Sequence, residues 1–141
     1  MVKSKILATL DKTNSTRRPV PAICFNDIKT HILGPKYFLS LVFIGDRRGQ
    51  TLNKKYKNKN TPTNILSFPL SNDCGEVFIN LARAKREAPK FDMTYRVYVA
   101  YLFIHGCFHL KGYAHGSTME NKEKKVLNSF VINEQKHRHR S

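Results

Sequence analysis

The chain has 141 residues, 40% of them hydrophobic, enough to bury one core and too apolar for a disordered chain. Its 25 Lys and Arg against 10 Asp and Glu leave a formal charge of +15, which implies a polyanionic partner: RNA or DNA ahead of an anionic membrane. The longest apolar stretch, Val97 to Leu110, is too short to span a bilayer, and Met1 to Leu10 has lysines but no apolar secretory core.

In chain order, Lys5 to Leu10 reads as a short opening strand, followed by a polar link through Pro21. Ile23, Ile28, Ile32 and Leu33 fall at helical spacing and stop before Gly34-Pro35. Tyr37 to Ile44 is dense in Phe, Leu, Val and Ile and reads as a strand. Thr51 to Tyr56 is expected to be helical, with its end fraying into Lys57-Asn58-Lys59-Asn60-Thr61-Pro62. Ile65 to Phe68, closed by Pro69, is a second strand and Gly75 to Asn80 a third, with Leu81 to Ala88 a helical continuation. Tyr95 to Lys111 is a long, largely buried helix. Ser117-Thr118-Met119-Glu120 has the form of a capping box and opens a last helix with Val126, Leu127, Phe130 and Val131 on its apolar side. From about residue 135 the chain becomes a basic tail, expected to fray. Residues 1–141 are thus expected to form one α+β domain, a small mixed sheet of about four strands packed by helices.

The densest chemistry lies between His105 and His115, which reads His-Gly-Cys-Phe-His-Leu-Lys-Gly-Tyr-Ala-His. An i,i+4 pair puts His105 and His109 on one helix face, a turn apart. Gly112 then permits the positive φ that ends a helix, and the reversal carries His115 to the same point. Three imidazoles meeting at a helix end describe a three-ligand zinc site with an open fourth position, although the set also suits nickel or copper. The competing reading is three separately satisfied histidines on a buried face, which the spacing disfavours. Zinc proteases of this spacing carry a glutamate after the first histidine; Gly106 stands there and Ala114 precedes the last histidine, so a peptidase lacks its base. Cys107 lies at i+2, off the histidine face, and reads as core. Cys24, Cys74 and Cys107 form no disulfide framework and fit a reducing compartment.

A second group comprises Arg47, Arg48, Lys54, Lys55, Lys57 and Lys59 around Tyr56, with no acid between Asp46 and Asp73. It suits phosphate contacts plus stacking on an unpaired base, or equally a solvated basic loop. His137 and His139, alternating with arginines, read as solvated charge.

These segments together resemble the YbeY endoribonuclease family. The resemblance rests on the His105–His115 run, on Leu-Asn-x-x-Tyr-x-x-Lys-x-x-Pro-Thr-Asn-x-Leu-Ser-Phe-Pro at 52 to 69, and on Gly-Glu-Val-Phe-Ile at 75 to 79. It covers about Phe43 to Leu127, while the first forty residues agree only in element order. It implies a zinc-hydrolase-like fold and a zinc-dependent, single-strand-specific endoribonuclease. The family's role is maturation of the 3′ end of small-subunit rRNA and ribosome quality control. By position the ligands of one zinc ion are His105, His109 and His115. Two places depart from the family pattern: Tyr-Arg becomes Tyr56-Lys57, and Tyr-Asp-His becomes Tyr113-Ala114-His115. The first keeps the charge but loses the planar fork, and the second removes a carboxylate beside the site.

The expected chemistry is hydrolysis of a phosphodiester by water whose pKa the metal lowers, with Lys57 holding the substrate phosphate by charge. Glu76, at the start of a strand, is the nearest candidate acid to support a ligand, or else is structural. A protein base is less needed if the RNA supplies its own 2′-hydroxyl. Two rivals stay open at this stage: a non-catalytic, zinc-stapled ribosome-assembly factor docking on rRNA, and a zinc hydrolase of another substrate class. The expected partners are rRNA and the small ribosomal subunit or its assembly factors, with no membrane. The expected location is cytoplasmic, with an organelle stroma or matrix as the alternative. Oligomeric state is left open.

Overall fold

The computed structural model describes residues 9–57 and 63–139. The expected opening strand lies outside these residues, except for Thr9 and Leu10, and so does the stretch 58–62 with Lys59. The first described strand, β1 (Leu10–Asn14), begins where the expected one ends. Only Leu10 of it is withdrawn from water, so no apolar alternation betrays it. The chain then runs through α1 (Phe25–Leu33), β2 (Phe38–Ile44), α2 (Asp46–Lys57), β3 (Ile65–Ser71) and β4 (Cys74–Asn80). It continues through α3 (Leu81–Glu87), a 3-10 turn (Ala88–Phe91), α4 (Tyr95–Lys111) and α5 (Ser117–His139).

The four strands form one mixed sheet in the order β1-β2-β4-β3, as expected for this α+β chain. β1 and β4 flank β2 in parallel, and β3 closes the edge antiparallel to β4. β3 passes through Pro69 instead of stopping at it, because an edge strand has one side with no ladder donor to lose; the register slips there, between Pro69 and Ser71. α2 starts five residues before the expected helix, at Asp46. α5 continues to His139, so the expected frayed tail is helical through that residue. Its first turn is closed by Glu120 N–H donating to Gly116 O at 3.0 Å.

Alternation along β4 divides the sheet into two faces. Val77 and Ile79, fully buried, look toward α4 and join Leu39, Leu41, Phe43, Val99, Leu102, Phe103 and Ile104 in the main core. Phe25 of α1 closes that core edge-on against Phe103, with ring centroids 5.0 Å apart. Phe78 looks the other way and meets Ile44 and Leu66 in a smaller cluster edged by Leu52 of α2. Lys29 is fully buried in α1; its ammonium donates to Thr9 Oγ1 (2.8 Å), Gly34 O (3.2 Å) and Tyr37 O (2.9 Å), a strap no spacing rule reveals.

α4 is apolar all round because the sheet, α1, α3 and α5 enclose it. Thr94 caps its start, accepting from Val97 N–H at 3.2 Å. Gly106 lets it approach β3 and β4: a Cβ there would lie 2.8 Å from Ile65 Cδ1 and 3.4 Å from Val77 Cγ1. At its far end Gly112 takes φ 107° and donates to His109 O at 3.0 Å, closing the helix where the sequence places its stop. Lys111 ties this end to α1 by donating to Ile32 O at 2.8 Å.

Candidate metal centre

The reversal after Gly112 returns the chain across the end of α4, and His115 arrives beside the helical pair. Ring centroids are 4.6 Å apart for His105–His109, 4.6 Å for His109–His115 and 4.9 Å for His105–His115. One nitrogen from each ring lies within 4.8 Å of the other two. These three residues are therefore able to hold a metal ion. The Nε2 atoms of His105 and His109 are 3.1 Å apart, close to the roughly 3.3 Å that tetrahedral geometry at zinc–nitrogen bond lengths requires.

The tautomer of His105 follows from its other nitrogen. Nδ1 faces Glu123 Oε2, one turn and a half into α5, and Glu123 is only 4% exposed. An imidazole giving its Nδ1–H to a carboxylate turns the Nε2 lone pair toward the common point, the usual orientation of a metal-binding histidine. Burial, then the charge of His115, holds the His105 imidazolium pKa down; burial, then His105 and His115, does the same for His109. Both are thus neutral at pH 7, the form that binds a metal. Burial also pushes the Glu123 carboxyl up, so the folded chain tolerates this acid at a cost. Tyr101, one turn before His105, lays its ring 6.0 Å from the imidazole.

The trio opens onto a cleft of about 570 Å³ lined also by Lys57, Asn64, Ile65 and Ser67. Among the described residues of the basic segment, Lys57, the last residue of α2, reaches this cleft. The other described members are not one cluster: α2 carries Arg48 roughly 14 Å from Lys57 at helical rise, and Arg47 and Arg48 line a different depression with Ser15 and Thr51. Tyr56 packs on Phe68 at 4.9 Å, with Lys55 5.2 Å above its ring. Among the described residues lining the cleft there is no Asp or Glu.

Glu76 does not support a ligand. It faces away from α4, in register with Ser40 and Phe68, because neighbours on a strand alternate. Glu123, which the sequence reading missed, takes that place; it is 18 residues from His105, joined to it only by the packing of α5 on α4. Cys107 is fully buried and its thiol is pushed up by burial, so it is core as expected. Ala114, before the last histidine, is exposed.

The sequence profile of the family described as Endoribonuclease YbeY matches residues 9–134. The protein named Endoribonuclease YbeY from Neorickettsia sennetsu is 34% identical over 110 residues, 70% of this chain and 77% of the relative. Its namesake from Carboxydothermus hydrogenoformans is 34% identical over 104 residues, 67% of this chain and 73% of that one. The solution structure of TM1509 from Thermotoga maritima superposes with a TM-score of 0.63 at 18% identity, over 91% of this chain and 93% of its own. That likeness speaks for the fold alone.

Proposed function

The chain belongs to the YbeY endoribonuclease family, and on that footing we propose that it is a zinc-dependent endoribonuclease that cuts single-stranded rRNA. The observation that carries this reading is the convergence of three ring nitrogens at one side of a cleft that a lysine enters. His105, His109 and His115 hold one zinc ion. When bound, zinc supplies Lewis-acid chemistry: it eases loss of a proton from water and stabilises negative charge on phosphoryl oxygen. This suits a cleft whose described lining holds no carboxylate to act as base.

The chain's own residues do the rest. Glu123 keeps His105 in the ligand tautomer and fixes its ring. Lys57 attracts the scissile phosphate as a point charge, free to swing where an arginine would clamp in two places. The charge of +15 draws a polyanion and gives binding that weakens with salt. The substrate is the 3′ end of small-subunit rRNA, met on the small subunit or with its assembly factors, in the cytoplasm. No helix among the described residues is long and apolar enough to cross a membrane.

The test is cleavage of a single-stranded oligoribonucleotide from that rRNA end by untagged protein, parent beside His109→Ala. Zinc-dependent cutting by the parent alone is expected. Cutting that survives His109→Ala, or none by either protein, overturns the nuclease reading; the second outcome leaves a docking factor.

A further inference from the structure

Besides the histidines and Lys57, the cleft is lined by two polar side chains, Asn64 and Ser67, and Ser67 Oγ donates to Gly106 O at 3.4 Å. Asn64, half-buried at the mouth of β3, lines the cleft beside Ile65 and Ser67. Its backbone is pinned, since its carbonyl accepts from Asn80 N–H at 2.9 Å. Its side-chain Nδ2 donates to Glu87 Oε1 at 3.1 Å. Glu87 accepts as well from Tyr98 Oη (2.7 Å) and Arg83 Nε (2.7 Å). Burial alone raises the Glu87 carboxyl, but these three donors outweigh it and hold it below its ordinary range. Glu87 is therefore ionised at neutral pH and only accepts.

An amide that meets an acceptor-only carboxylate has one way to face: nitrogen toward Glu87, oxygen away from it. Nδ2 gives one hydrogen to Glu87 and directs its second toward Tyr98 Oη, which leaves the carbonyl oxygen Oδ1, an acceptor only, as the polar atom Asn64 has to offer a ligand. Phosphodiester oxygens, themselves acceptors, find no partner in it. Donors on an RNA strand are the ribose 2′-hydroxyl and base N–H groups. Three imidazoles and a lysine address this cleft to the backbone, and the backbone donor nearest a phosphate is the 2′-hydroxyl, which DNA lacks.

We propose that Asn64 Oδ1 accepts a hydrogen bond from a ribose 2′-hydroxyl of the bound strand and thereby makes the cleft prefer RNA to DNA. The inference rests on the RNA reading of the cleft given above. Asn64 is on this account a specificity-determining residue, and the Arg83–Glu87–Tyr98 network is what keeps its amide from turning over.

The experiment compares the full chain's affinity for a short single-stranded oligoribonucleotide and for the deoxy strand of identical bases, uracil retained, in chelator so that neither is cut. The parent is expected to favour RNA. Asn64→Ala is expected to weaken RNA binding about five- to tenfold, the worth of one neutral hydrogen bond, and to leave DNA binding as it was. Glu87→Gln provides a second variant: a glutamine accepts as well as donates, so the Asn64 amide is free to reverse, and the RNA preference should narrow again. Equal loss of RNA and DNA binding in folded Asn64→Ala overturns the proposal, as does a parent that does not distinguish the two strands. Zinc-dependent cleavage by the parent is read separately. A nuclease whose RNA preference ignores Asn64 sinks this inference alone, while an inactive parent with an Asn64-dependent preference sinks the nuclease reading alone.

Discussion

Replacing Glu123 by glutamine is expected to weaken zinc binding ten- to hundredfold while the metal-free fold stays as stable as the parent. Glutamine has nearly the same volume and keeps an oxygen for His105 Nδ1–H, so the ring stays in place and only the charge behind it is lost. Loss of a partner of this kind costs about 10- to 100-fold in metal affinity, or about 1.4 to 2.8 kcal/mol. The effect on the empty fold has the opposite tendency. Glu123 is 4% exposed, and burial, its largest influence, pushes its carboxyl up. The folded state therefore disfavours the carboxylate at neutral pH, and a neutral amide relieves that cost. Glu123→Ala differs again, because it leaves an N–H without a partner in a site where His105 is 17% exposed. That adds roughly 1–3 kcal/mol, so affinity should fall in the order parent, Gln, Ala. Competition with a chromogenic zinc chelator measures the affinities, and thermal melts of chelator-treated protein measure the fold. Glutamine binding zinc within about twofold of the parent would refute the orienting role. So would a collapse of the metal-free fold that accounts for the whole loss.

Lys57→Ala should lower affinity for single-stranded RNA and reduce the slope of log affinity against log salt by about one; an unchanged slope means that Lys57 meets no phosphate. Gly106→Ala places a methyl 2.8 Å from Ile65 Cδ1 and 3.0 Å from Ser67 Oγ. Overpacking of about 1–3 kcal/mol, offset by roughly 1 kcal/mol of helix propensity, leaves a net loss of about 0–2 kcal/mol; a raised melting temperature would mean the sheet yields freely. Glu87 has a folded pKa below its ordinary 4.5. Its contribution is complete above that value and is lost as pH falls through the lower folded pKa, because the unfolded chain takes up the proton first. Denaturant melts from neutral pH down to about pH 3 should show a shallower acid limb in Glu87→Gln than in the parent, and identical limbs would contradict the network.

Most of the architecture was readable because it follows from local rules. Helix α4 has its bounds in Thr94 and Gly112, a cap and a stop with known stereochemistry, and its i,i+4 histidines share a face by geometry alone. β2 and β4 announce themselves as apolar runs because both of their faces are covered. β1 does not, since an edge strand with four exposed residues carries no burial pattern. Pro69 misled for a related reason: proline forbids a ladder donor, and at the sheet's edge that donor is not needed. In the centre, Glu76 was weighed as a ligand's support and Glu123 was missed, both by the same limit. Glu76 lies within the motif strand at 75 to 79 but one residue out of phase with the α4 face. Glu123 reaches His105 only through the packing of α5 on α4, which no spacing within the chain encodes. Asn64 and Glu87 were likewise invisible as a pair, 23 residues apart and joined by a single side-chain bond.

The account stands or falls on whether His115, brought back by the turn at Gly112, completes a metal site with His105 and His109. Elemental analysis of untagged protein, loaded with zinc and freed of excess, decides it. The parent should retain about one zinc per chain, and His115→Ala should retain almost none while keeping its circular dichroism. Equal zinc in the two proteins, or none in the parent, would contradict it.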